Sequence, residues 1–217
     1  MSHVPDVVLL ITGQCPHCAS VMKSLSELLK QGEIATLEMV NIEHRPERAA
    51  ELGVRAVPWM KVGWFELTGL HSQGELLEKA RQAGSDEGAR AYISEELKAG
   101  RVNTVVALVA KQHELISHVL ALLEDAEAGI NVRLGVGVIL EEHAPADWFA
   151  PYIQALGEYT RHEDERVRAD ACHYLSLTQN KAAVPFIKSL QKDDSELVRE
   201  VAEESLEALR ELGVPVE

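Results

Sequence analysis

An α/β domain followed by an all-α repeat domain is the fold class that the sequence predicts, and three observations carry that expectation. The continuous apolar run Val7 to Thr12 has strand length and leads into a helical pattern, Gly and Ser break the periodicity at Gln82 to Ala89, and a nine-residue pattern then recurs three times. The 217 residues suffice for two modest domains, and a hydrophobic content of 46% supplies a core for each. The expected boundary separates residues 1–83 from residues 84–217.

In the first part, Val7 to Thr12 reads as a buried central strand, because a β-branched and aliphatic run without alternation is covered on both faces. Val21, Met22, Leu25, Leu28 and Leu29 then recur on one helical face, with Gly32 where the helix would stop. Ile34 to Ile42 reads as a second strand, and Pro46 to Leu52 as a short helix with Pro in its first turn and Gly53 as its end. Trp59 to Val62 and Trp64 to Leu67 flank Gly63 as a hairpin, and Glu75 to Arg81 closes the set with a helix. The predicted order is βαβαββα.

Net charge is −14, and it is uneven: residues 1–83 carry 8 Lys+Arg against 10 Asp+Glu, and the remainder carries 13 against 25. Such acidity argues against binding to nucleic acid or anionic membrane. No basic segment precedes the first apolar run, and nothing approaches the roughly 20 apolar residues of a membrane span. The expectation is a cytoplasmic protein. Three cysteines do not make a structural disulfide framework, which turns attention to the close pair in GQCPHCAS, Gly13 to Ser20.

The predicted order places Cys15 at a strand-to-helix junction, with Cys18 one turn further on. Free amide N–H groups and the positive end of the helix dipole favour the thiolate there, so Cys15 is expected to ionise below the ordinary thiol value of about 8.5. His17 adds a hydrogen bond or a positive charge, and Pro16 suits a first turn because it has no N–H to leave unpaired. Cys18 is near enough to resolve a mixed disulfide. A metal site would need two more ligands, and the sequence has no second CxxC or CxxH; sharing across a dimer is the remaining route.

CPHC after a buried strand, followed some forty residues later by Val57-Pro58, resembles the thioredoxin superfamily. The resemblance covers roughly residues 6–82, with GVRAVPWMKV as the proline element and TGLHSQGEL, Thr68 to Leu76, as the end of the domain. It implies Cys15 as nucleophile, Cys18 as resolving thiol, and a cis-proline at Pro58 beside the dithiol. It also leaves the backbone of Val57 free to pair with an extended client segment, in a groove bordered by Val57, Trp59 and Gly69. No cofactor is implied beyond the Cys15–Cys18 couple. The short N-terminus gives a core of glutaredoxin size; Leu9 stands where thioredoxins carry a buried Asp, and Gly69-Leu70 stands where glutaredoxins carry the Gly-Gly that helps hold glutathione. Glutathione is therefore not expected as a cofactor. Trp59 and Trp64 either frame the groove or pack inside the hairpin, the more common use of such residues.

After the break, VRLGVGVIL from Val132, VRADACHYL from Val167 and VREVAEESL from Val198 align, spaced by 35 and 31 residues. Positions 1, 5 and 9 form one helical stripe, and Arg holds position 2 each time. FAPYIQAL, Phe149 to Leu156, matches AVPFIKSL, Ala183 to Leu190, with Pro151 and Pro185 in register and acidic Asp164 and Asp194 ahead of the next helix. These resemble HEAT-type repeats, in which paired helices stack because one pair cannot bury its apolar face alone. Residues 90–128 are expected to supply degenerate or capping helices. The fold class is thus an α/β thioredoxin-like fold followed by an all-α HEAT-like solenoid.

Other motifs carry less. His113 and His118 in HELISH are five apart rather than the four of HExxH, so they do not share a face for zinc. GVG, Gly135 to Gly137, lacks the third glycine of a dinucleotide loop and falls in a repeat helix, where small-residue packing explains it. Cys172 is expected half buried, as a small hydrophobe. The Glu/Asp excess has two readings, a solvated surface or a concave face that prefers a basic protein partner. The expected function is a thiol-disulfide oxidoreductase acting on protein disulfides, a reductase rather than an oxidase, with the solenoid holding the client. The alternative is a non-catalytic scaffold whose CxxC is a redox-sensitive switch.

Overall fold

The structure is a computed structural model that describes residues 3–125 and 129–216. Its elements begin β1 (Asp6–Ile11), α1 (Cys18–Lys30), β2 (Thr36–Asn41), α2 (Pro46–Glu51), β3 (Trp59–Val62), β4 (Phe65–Thr68) and α3 (Gln73–Ala83), the βαβαββα order read from the sequence. The four strands form one sheet in the order β2-β1-β3-β4, with β1 parallel to β2 and the other pairings antiparallel. Apolar residues on one face of this sheet, Val7, Leu9, Met60 and Val62, meet Val21, Leu25 and Leu28 of α1 and Leu76 and Ala80 of α3. The α1 stripe comes from the spacing of those residues, and α3 starts at a capping box in which Ser72 and Glu75 satisfy each other's backbone N–H.

Beyond shifts of one or two residues at element ends, three boundaries differ from the sequence reading. Helix α1 begins at Cys18 rather than Cys15, because Pro16 and His17 form a turn closed by the Cys18 N–H on the Cys15 carbonyl, 3.4 Å. Trp64 lies in the hairpin turn with Gly63 rather than in β4, which starts at Phe65. Contacts divide the chain between Tyr92 and Ile93, inside α4 (Asp86–Lys98), and not at residue 83. Ala89 is buried, and Tyr92 packs on Phe65 with ring centres 4.9 Å apart and on Trp64 at 5.3 Å, while Lys79 sits over both Phe65 and Tyr92. The start of α4 therefore belongs to the α/β unit.

The second unit continues with α5 (Val102–Lys111), α6 (Ile116–Leu120), α7 (Ile130–His143), α8 (Ile153–Glu158), α9 (Glu165–Leu177), α10 (Val184–Leu190) and α11 (Glu196–Glu211), joined by short 3-10 turns. The part of residues 90–128 expected to form capping helices is α4, α5 and α6 up to Asp125, and 126–128 lie outside the described residues. The aligned stripe is the core of the stack: Val132, Val136 and Leu140 of α7, Ala171 and Leu175 of α9, and Val198, Ala202 and Leu206 of α11 are all at most 1% exposed. A fully buried Val or Leu side chain is worth about 1.5–3 kcal/mol, so each Val and Leu of the stripe contributes on that scale to the stacking of the repeats. GVG packs as a small-residue contact, since a Cβ on Gly135 would lie 2.6 Å from Leu97 Cδ2.

The arginine at position 2 also acquires a reason. Arg168 donates through Nη1 to the carbonyls of His162 and Glu163, and Arg199 does the same to Asp193 and Asp194, so each arginine ties down the loop that leads into its own helix. Arg168 additionally forms a bidentate pair with Asp193 at 2.8 Å, both side chains at most 15% exposed. Ahead of α11 the paired carboxylate is Asp193 rather than Asp194, and ahead of α9 Asp164 caps the helix by accepting the Arg166 N–H.

Two predictions follow from this packing. A fragment of residues 1–92 should unfold cooperatively in urea, and one of residues 1–83 should be weaker by about 2 kcal/mol, because it loses the Tyr92 cover over Phe65 and Trp64. Arg168→Ala should cost about 2 kcal/mol at pH 7, at the low end for a partly screened buried pair. The hydrogen bond from Arg168 lowers the Asp193 carboxyl below its ordinary value. Its contribution is then complete above about pH 4 and lost as pH falls through the folded value, so the difference between Arg168→Ala and the parent should shrink below about pH 4 in urea titrations.

Candidate functional site

Strand β1 ends at Ile11, and the chain then turns: the Cys15 N–H donates to the Thr12 carbonyl at 3.4 Å, and the Val21 N–H to the His17 carbonyl at 3.3 Å. Cys18, as first residue of α1, lies on the same buried face as Val21 and Leu25 and is 3% exposed. Cys15 precedes the helix and is half buried, while Pro16 and His17 are exposed. The two sulfurs are joined as a disulfide, S–S 2.17 Å and Cα–Cα 5.5 Å. Cys15 is thus the more exposed of the two and Cys18 is covered, the asymmetry that a nucleophile and a resolving thiol require.

The sheet brings the proline element to the same end. Leu10 pairs with Trp59, so Pro58 falls beside the last residues of β1, where the cysteine turn begins. The Val57–Pro58 peptide is cis and Pro58 is buried. Trp59 pairs with Thr68, and beyond it the Gly69 N–H donates to the Pro58 carbonyl at 2.8 Å; Gly69 adopts φ +92°, a conformation open to glycine and strained for other residues. Proline has no N–H, and its carbonyl is taken. Val57 is left half buried, and among the described residues its backbone N–H and carbonyl take no hydrogen bond. Val57, Pro58, Trp59 and Gly69 are therefore one structural unit. Trp59 and Trp64 are themselves buried, at 6% and 8% exposure, and Leu9 is wholly buried in the apolar core where a thioredoxin would hold its Asp.

Sequence reasoning missed one neighbour of the turn. Glu43, just beyond β2, accepts the Gly13 N–H through Oε2 at 3.1 Å, and its own N–H donates to Asn41 Oδ1 at 2.9 Å. The only available signal was a carboxylate two residues past a strand end, which by itself points nowhere.

Cys172 differs from expectation in degree: it is fully buried, with its thiol 3.8 Å from Ser205 Oγ, and burial pushes its pKa up to about 11. His113 stacks flat on Trp148, ring centres 4.0 Å apart, and its Nε2 faces the Ala110 carbonyl. No helix among the described residues is long and apolar enough to cross a membrane.

Comparison with known families agrees with this geometry. Residues 6–81 match the thioredoxin-domain family model, and residues 116–207 match the HEAT-repeat model. The chain therefore joins a thioredoxin-like domain, with its two cysteines at disulfide distance, to HEAT repeats. No curated protein matches it in the comparison made.

The cysteine environments make a direct prediction. After reduction, alkylation of the native protein at pH 8 should label Cys15 first, label Cys18 slowly, and leave Cys172 unmodified until the protein is denatured, as read by peptide mass mapping.

Proposed function

We propose that the protein is a thiol-disulfide oxidoreductase, acting as a reductase of protein disulfides, whose HEAT repeats hold the client. The observation that carries this reading is the pairing of a half-buried Cys15 with a fully covered Cys18 beside a cis-proline element whose Val57 backbone is unpaired. The Cys15 thiolate attacks one sulfur of a client disulfide, and the other client sulfur leaves and takes up a proton. Cys18, losing its proton, then attacks the Cys15 sulfur, so the client's second thiol departs and the Cys15–Cys18 disulfide forms. Two electrons have passed from enzyme to client, and an external dithiol returns them. Pro16 shapes the turn, His17 stabilises the thiolate, and the Val57 backbone pairs with an extended client segment.

Support for a protein partner comes from the repeats, a class of domain that commonly mediates protein–protein interaction. Ile130, Leu134 and Val138 form an exposed stripe on α7, and Leu197 on α11 is also exposed. Between α7, α9 and α11 a groove of about 310 Å³ is lined by Leu197 and Val201 together with Arg133, Arg166, Asp170 and Glu204. Glu196, Glu200, Glu203, Glu204, Glu207 and Glu211 are all exposed on α11, which favours a basic partner surface.

A Cys18→Ser variant should stay covalently joined to its client through Cys15, and Cys15→Ser should capture far less, as seen on non-reducing gels. Removing residues 93–217 should lower capture of the client while turnover of a small generic disulfide persists, because linked sites raise effective concentration. Equal yields of the same adducts without the repeats would remove the tethering role. No adduct and no turnover of small disulfides would leave a scaffold with a redox-sensitive CxxC.

A further inference from the structure

β1 and β2 pair with a constant offset of thirty residues, from Asp6 with Thr36 to Ile11 with Asn41, and the Ile42 N–H extends the ladder by donating to the Ile11 carbonyl at 3.0 Å. The same offset joins Gly13 to Glu43, but there the acceptor is a side-chain carboxylate rather than a backbone carbonyl. Backbone pairing with β2 thus stops at Ile11, four residues before Cys15, and the last rung, at Gly13, is made by a group that carries a negative charge. Glu43 is held in place from its own side by the Asn41 turn, and a Cβ on Gly13 would sit 3.1 Å from Oε2, so the approach is close.

We infer that Glu43 is a positioning residue for the redox turn: it fixes the chain ahead of Cys15 and biases the Cys15–Cys18 couple toward the disulfide. Two effects act together. While Glu43 holds the Gly13 N–H, that donor cannot swing toward a Cys15 thiolate. A carboxylate fixed against the turn at Gly13 also repels the thiolate, and so disfavours the reduced form and makes the dithiol a stronger reductant. Glu43 opposes His17 and sets the couple on the reducing side, which deepens the proposed function and rests on it for its biological sense.

The test is the equilibrium in which the Cys15–Cys18 disulfide and two glutathione thiols give the dithiol and one glutathione disulfide, a two-electron exchange measured on the full chain. Glu43→Gln keeps an oxygen for the Gly13 N–H and removes only the charge; it should shift the equilibrium toward the dithiol by about three- to tenfold, the scale of a fraction of a pKa unit to one unit on the attacking thiol. Glu43→Ala removes both, and should shift it at least as far and also lower kcat toward a small disulfide more than it raises KM. A merely structural role would change thermal stability and leave the equilibrium where it was. Equilibrium constants within twofold of the parent in both variants overturn the inference, as does a shift toward the disulfide. The equilibrium is readable even if the chain turns over no client, so failure of the oxidoreductase reading and failure of this one are separate results.

Discussion

β1 is hydrogen-bonded along both edges, parallel to β2 on one side and antiparallel to β3 on the other, and its Val7, Leu9 and Leu10 are at most 1% exposed. Everything at the redox turn is placed by where this strand ends. Its last residue, Ile11, delivers the chain to the cysteine turn; its pairing with β3 sets Pro58 beside that turn; its pairing with β2 sets Glu43 opposite Gly13. A slip of one residue in either ladder would turn every side chain of a strand to the other face, so the hydrophobic pattern that fixes the core also fixes the geometry around the two cysteines. The site needs no dedicated framework of its own.

The repeats solve a different problem with the same economy. The apolar stripe at positions 1, 5 and 9 says only that helices stack, not how far apart successive loops stand. Arg168 and Arg199 supply that, each spanning the end of its preceding loop and the start of its own helix, and Arg168 reaches on to Asp193 ahead of α11. Carbonyls left over at a loop are costly when partly buried, and one guanidinium satisfies two of them at once. Regular spacing along the stack is thereby built into a residue adjacent to the stripe.

Much of this was legible because the signals are short-range. A buried strand, a helical stripe, Gly at turns and a cysteine pair after a strand are each contained in a dozen residues, and the element order and the cis Val57–Pro58 were readable with the help of the superfamily resemblance. What was not legible depends on partners distant in sequence. Tyr92 reads as one more helical residue until Phe65 and Trp64 are seen beneath it, which is why the unit extends past Ala83. Glu43 and Asp193 are ordinary surface carboxylates by pattern, and only the sheet offset and the repeat stacking give them partners. The start of α1 was missed for a local reason: helix period alone does not say that Pro16 and His17 close a separate turn before it.

The proposed chemistry makes the second domain useful rather than ornamental. In the proposed mechanism, recognition at the cysteine turn rests on the backbone of one residue, Val57, and a pair of backbone hydrogen bonds contributes about 1–3 kcal/mol at most, with almost no preference among sequences. A dithiol with so little grip reacts with any accessible disulfide in proportion to its concentration. On the proposed reading, selectivity comes from contacts made elsewhere on the same client, for which the repeats present exposed aliphatics on α7 and α11 and a row of glutamates on α11. Because both contacts belong to one chain, a weak second contact in the repeats converts a bimolecular encounter into an intramolecular one, and discrimination among disulfides follows from local concentration rather than from a tighter redox site.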